Sequence, residues 1–187
     1  MPKIVDHGAR RFEILSQALS LFARQGFDCV TMRGLAAHLG VSTGVLHHYF
    51  DGKEALFAAM LRHVARLKVA TVKTDLPPEA SPAMHVVALV DVLLRQAELI
   101  QQVLLVCMDY QRAHPEDPLI GEVLDVYRQA LIKDFAQGDR QKAEIALSYI
   151  IGILTQRILV ANQANTTDQL TGLANLFGID GPNHQAV

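Results

Sequence analysis

Apolar positions recur at three- and four-residue intervals along most of this 187-residue chain, and no stretch alternates apolar and polar residues long enough to argue for a sheet. Phe12, Leu15, Leu19 and Phe22 mark one face of a first helix, which should stop at Gly26. Thr31 can cap a short second helix carrying Leu35, Ala36 and Leu39 inward. Gly40 and Val41 make a tight turn, and Ser42 caps a third helix of about seven residues that ends near Phe50. In "DGKE", Asp51 followed by Glu54 has capping-box spacing and opens a fourth helix running through Leu56, Met60, Val64 and Leu67 to about Thr71.

The prolines of "KTDLPPEASP" interrupt the pattern, and Ser81 with Pro82 restarts it. The helical period from Pro82 to about Ala113 is long for one globular helix, which predicts a break near Arg95 to Glu98. "HPEDP" reads as a loop, with Asp117 and Pro118 starting a helix that ends at Gly138. Asp139 caps an apolar helix through about Gln163, and a last helix runs from about Asp168 to Phe177. The expected fold is all-α: a small region over residues 1–50, a connecting helix over 51–72, and a larger helical region over 73–187.

Composition narrows the function classes. Half the residues are apolar, enough for a core without covalent staples. Cys29 and Cys107 lie far apart and form no CxxC, which suits a reduced compartment better than a disulfide framework. The first residues lack an apolar signal core, and the run from Ile145 is interrupted by Gln156 and Arg157, so no membrane span is expected. Charge is uneven: nine Lys and Arg face five Asp and Glu up to Lys68, whereas eight face fourteen beyond it. A basic small end joined to an acidic large end points to a polyanion partner for the first and another task for the second.

Two short helices joined by a glycine-containing turn are the helix-turn-helix arrangement, whose second helix enters the DNA major groove. Leu35, Ala36 and Leu39 bury the first of these helices, Val41 and Leu46 pack the second back onto it, and Thr43, Gly44, Val45, His47 and His48 remain outward. Adjacent helical residues diverge by roughly 100°, so His47 and His48 do not make a metal pair. The chain shows no nucleophile with a base, no phosphate-binding glycine loop and no ligand set, so neither an enzyme, a metal nor a cofactor is expected.

The stretch "ILSQALSLFARQGFDCVTMRGLAAHLGVSTGVLHHYFDGKEALFAAML" resembles the DNA-binding domain of the tetracycline-repressor (TetR) family of bacterial transcriptional regulators. The resemblance rests on "LFARQGF", "TMRGLA", "GVSTGVL" and "YFDGKEAL" and runs from about Arg10 to Arg62. It implies that residues 1–50 form a three-helix DNA-binding domain and 73–187 a ligand-binding and dimerisation domain. It further implies that Thr31 and Arg33 lie near phosphates, and that Ser42, Thr43, Gly44 and Val45 face bases and backbone. His47 and His48 then reach phosphate or a base edge, Tyr49 can be a core residue with its hydroxyl on a phosphate, and Lys53 meets another at a helix N-terminus. Two departures stand out: His47 occupies a position that is usually Tyr, and Thr43 one that is often Lys, which predicts a shallower salt dependence of DNA binding.

For the larger half the resemblance implies a homodimer and an unidentified small-molecule effector. Residues at helical spacing on apolar surroundings, His85, Gln101, Met108, Arg112, Tyr127, Tyr149 and Gln156, are candidates for ligand contact. The helix from Asp139 is apolar almost all round, so Ile150, Ile151 and Leu154 with Leu170, Leu173 and Phe177 are candidates for the dimer interface. The expected function is a cytoplasmic, ligand-responsive repressor that binds a palindromic duplex as a dimer. The substitutions at Thr43 and His47 keep a second reading open, a helical scaffold that retains the motif without strong DNA affinity.

Overall fold

A computed structural model describes residues 7–74, 82–134, 136, 138–160, 172 and 175. The described residues form eight helices and no strand: α1 (His7–Gln25), α2 (Met32–His38), α3 (Thr43–Tyr49), α4 (Lys53–Thr74), α5 (Pro82–Arg95), α6 (Ala97–Ala113), α7 (Leu119–Asp134) and α8 (Arg140–Leu159). None of them is long and apolar enough to cross a membrane. The expected break in the long apolar stretch falls at Gln96, between α5 and α6. Of the helix expected over Asp168 to Phe177, only Gly172 and Asn175 lie among the described residues, and both are helical.

The chain divides into two compact units. The first takes in the chain to Arg66 together with Leu105–Val123, and the second takes in Leu67–Leu104 and the chain from Leu124. The first unit therefore draws on a segment that lies far from the helix-turn-helix in sequence.

In the first unit, α1 buries Leu15, Leu19 and Phe22 with Ile14, Ala18 and Leu21. This stripe is centred so that Phe12 falls on its border: Phe12 is half exposed and meets His63 edge-on at 4.5 Å, so it is not part of the buried face that the spacing implied. The α1 helix ends at Gly26, whose φ of 75° is the left-handed conformation glycine adopts without penalty. Phe27 follows and enters an aromatic cluster, with ring centroids 4.8 Å from both Phe57 and Tyr110; Phe22 lies 4.9 Å from Phe57. Each of these rings removes a large apolar area from water, and edge-to-face geometry adds to it.

The second unit is built around Val92, Leu131, Ala136, Ala143, Ala146, Leu147 and Ile153. Arg128 bonds to Asp125 on its own helix and to Glu144 on α8, tying α7 to α8. Helix α7 stops at Asp134, short of the expected Gly138. Ala136 N–H donates to Leu131 O at 2.8 Å and Gly138 N–H to Ile132 O at 2.9 Å, so the chain turns back on the last carbonyls before the glycine is reached. The Asp139 carboxylate then caps α8, accepting from Lys142 N–H at 3.0 Å.

Candidate nucleic-acid interface

Helix α2 starts where Thr31 Oγ1 accepts from Gly34 N–H at 3.1 Å, and it buries Leu35 and Ala36. The turn follows from Gly40 at φ 64°, with Val41 N–H donating to Ala36 O at 3.0 Å. Ser42 then caps α3, its Oγ accepting from Val45 N–H at 3.2 Å. Both caps use hydroxyl lone pairs, which leaves each O–H able to donate outward.

Seven residues do not hold a helix unaided. Leu46, 0% exposed, is the anchor of α3, and Phe50 closes the helix by donating to Leu46 O at 2.9 Å. With Leu46 turned inward, Thr43, Gly44, Val45, His47 and His48 are all exposed, as are Ser42, Thr31 and Arg33. Tyr49 is half-buried, with the His48 ring edge-on to it at 5.0 Å. A side chain on Gly44 would meet only Ser42 Oγ, at 3.7 Å, so the fold itself does not require glycine there. Helices α2 and α3 carry no acidic residue, and Arg33, His47 and His48 leave their joint surface neutral to positive. A shallow helix with backbone donors, hydroxyls and imidazoles outward, and no carboxylate among them, suits a polyanion.

Lys53, expected at a phosphate, is engaged within the chain. Its ammonium donates to Phe27 O at 3.0 Å and sits 4.1 Å over the Phe27 ring. His38 is likewise occupied, with Nε2 3.0 Å from Ser20 Oγ and Nδ1 3.5 Å from an Arg24 nitrogen. Neither contact was visible in the sequence, because each joins residues on different elements.

The seven ligand candidates lie on four helices. His85 on α5 and Gln101 on α6 are half-buried. Met108 is exposed, and Arg112 is exposed and paired with Asp109 at 3.0 Å. Tyr127 packs against the core of the second unit. Gln156 is exposed, and the Tyr149 hydroxyl stands where a side chain on Gly172 would fall. On α8, Ile150 and Ile151 pack against the subunit's own core, and Leu154 is 6% exposed. The open stripe of α8 is instead Ile145, Tyr149, Gly152, Gln156 and Leu159, at alternating four- and three-residue spacing, with Leu159 77% exposed. The other three interface candidates, Leu170, Leu173 and Phe177, lie outside the described residues.

Two groups in the first unit have strongly displaced protonation. Burial pushes the Cys107 thiol up to about 12. Tyr110 is also pushed up to about 12, by burial and then by donating to Asp117 at 2.6 Å.

Residues 14–60 match the family described as bacterial regulatory proteins, tetR family. Over 131 residues the chain is 27% identical to the HTH-type transcriptional regulator BetI of Brucella canis; that match covers 70% of this chain and 66% of the relative, just under two thirds of the relative's length. Among solved structures, a TetR transcription regulator from Haloarcula marismortui superposes with a TM-score of 0.73 at 17% identity, covering 91% of this chain and 97% of that one. The reduced form of Escherichia coli NemR superposes with a TM-score of 0.71 at 18% identity, covering 92% and 97%. At such identities these two likenesses concern the fold.

Proposed function

We propose that the chain is a DNA-binding transcriptional repressor of the tetR family of bacterial regulatory proteins, whose pattern residues 14–60 match. The observation that carries this reading is the presentation of α3: a capped helix held by one buried leucine, with Thr43, Gly44, Val45, His47 and His48 turned outward and no carboxylate among them. Ser42, Thr43, Gly44 and Val45 approach base edges and backbone, while Thr31, Arg33, His47, His48 and Tyr49 contact phosphate. Lys53 joins them only by exchanging its bond to the Phe27 carbonyl for one to phosphate.

The repressor acts as a homodimer on a palindromic duplex, since two recognition helices read half-sites one helical turn apart. Its dimer face includes the Ile145–Tyr149–Gly152–Gln156–Leu159 stripe, which is exposed and apolar at both ends. The larger helical region, residues 73–187, takes a small-molecule effector that releases the DNA, and the protein works in the cytoplasm, where the chromosome lies.

Fluorescence anisotropy against the duplex upstream of the chain's own gene, with a random duplex as control and across a salt series, tests the reading. Tight, salt-sensitive binding that discriminates against the random duplex is expected. Equal and weak binding to both, repeated with duplexes selected from random sequence, sinks it. The commitment of Lys53 to Phe27 joins Thr43 and His47 in favouring the other reading, a helical scaffold with little DNA affinity.

A further inference from the structure

Arg10 and Arg11 are neighbours in α1, yet their guanidinium groups are used differently. Arg10 pairs with Glu13, one turn along the same helix. Arg11 forms no ion pair among the described residues; its guanidinium carbon lies 5.0 Å over the centroid of the Phe50 ring. Phe50 is the residue that ends the recognition helix, and it is 4% exposed although Arg11 itself is exposed.

Over that ring the guanidinium carries five N–H donors in one plane, and the ring face itself takes up none of them as an ion pair would. Among the described residues no ion pair takes up that edge: α3 carries no carboxylate, Glu13 is taken by Arg10, and neither Asp51 nor Glu54 pairs with Arg11. From α4, the group Arg11 acts on is His63; that imidazole lies below its ordinary range, first through burial and then through the Arg11 charge. A positive, pre-oriented fork thus stands at the C-terminal end of the helix assigned to the groove. A duplex groove is bordered on both sides by phosphates, about one per 1.7 Å of axis, and a planar fork meets a phosphate with two parallel bonds.

We infer that Arg11 is a phosphate contact, made from α1 and held in position by the Phe50 ring. The inference rests on the DNA-binding reading and adds to it a residue outside the helix-turn-helix. The test uses the full-length chain as wild type, Arg11→Gln and Arg11→Lys, each titrated by anisotropy against a random mixed-sequence duplex of about 30 base pairs across a salt series. The Gln variant should bind more weakly to all sequences alike, with the slope of log affinity on log salt shallower by about 0.9 for each phosphate no longer neutralised. The Lys variant should keep the wild-type slope, because it keeps the charge.

An unchanged slope in the Gln variant overturns the inference whatever happens to stability, since a mere lid on Phe50 alters the unfolding midpoint and not the number of displaced counterions. A Lys variant with the Gln slope overturns it as well. If the wild type shows no salt-sensitive binding to any duplex, the DNA-binding reading fails and Arg11 with it; if the wild type binds and the variants match it, only the role of Arg11 fails.

Discussion

The backbone N–H of Phe27 donates to the Asp109 carboxylate at 3.3 Å, joining the loop after α1 to α6, 82 residues later. The Phe27 carbonyl is met from the other side by Lys53 at 3.0 Å. One residue thus has both main-chain groups satisfied by charged side chains and its ring in the aromatic cluster. The fit leaves little room: a side chain on Gly26 would come 3.0 Å from Asp109 Oδ2. Asp109→Ala should cost about 1–3 kcal/mol, the usual range for leaving a buried main-chain donor without its partner. Gly26→Ala should also destabilise, since alanine must then hold φ 75° against that carboxylate. Urea unfolding midpoints check both, and wild-type midpoints would mean that the contact contributes nothing.

Gly44 is exposed and meets nothing that a larger side chain would displace except Ser42 Oγ. Gly44→Glu should therefore leave the helical circular dichroism and unfolding midpoint close to wild type. The same change puts a carboxylate at the point where α3 is proposed to approach the duplex, so duplex binding should vanish. Retained binding would show that α3 does not dock through its first turn.

Tyr110 and Asp117 set a pH window. The Asp117 carboxyl lies below its ordinary 3.8, first because Tyr110 donates to it and then because Leu119 N–H does, so this pair stabilises the fold above pH 3.8 and loses its effect as the pH falls through and below that value. Tyr110, raised from 10.0 to about 12, stabilises below pH 10.0 and loses its effect as the pH climbs toward 12. Tyr110→Phe keeps the ring and removes the hydroxyl. Its stability should fall less than that of wild type on both limbs, as read from urea midpoints at acid, neutral and alkaline pH; parallel curves would refute the coupling.

Both cysteines are free, Cys29 exposed and Cys107 buried with its thiol raised to about 12. A disulfide reagent near pH 8 should titrate one thiol rapidly in the folded protein and the second only after denaturant is added. Cys29→Ser should remove the fast phase, and a surviving fast phase would place Cys107 within reach of solvent.

Leu159, the most open of the large apolar residues among those described, ends the exposed stripe of α8. Leu159→Arg should shift the protein toward monomer in sedimentation without lowering its unfolding midpoint at low concentration. An unaltered assembly state would move the dimer face elsewhere.

Residues that act through local geometry were readable from the chain alone. Thr31, Ser42 and Asp139 cap because a short oxygen side chain before a helical period meets the open N–H groups of the first turn, and Gly26 ends α1 because only glycine takes its φ cheaply. The inward turn of Leu46 and the outward turn of its neighbours follow from the helical period in the same way. Contacts between distant segments carry no such signal: nothing in the order of residues marks Asp109 for Phe27, Lys53 for the Phe27 carbonyl, or Arg11 for the Phe50 ring. The α8 helix shows the limit most clearly, because a segment apolar nearly all round has no sequence contrast to say which side is covered. Only the packing of Ile150, Ile151 and Leu154 inward decides that Ile145 and Leu159 are the large apolar residues exposed on this helix together with part of Tyr149.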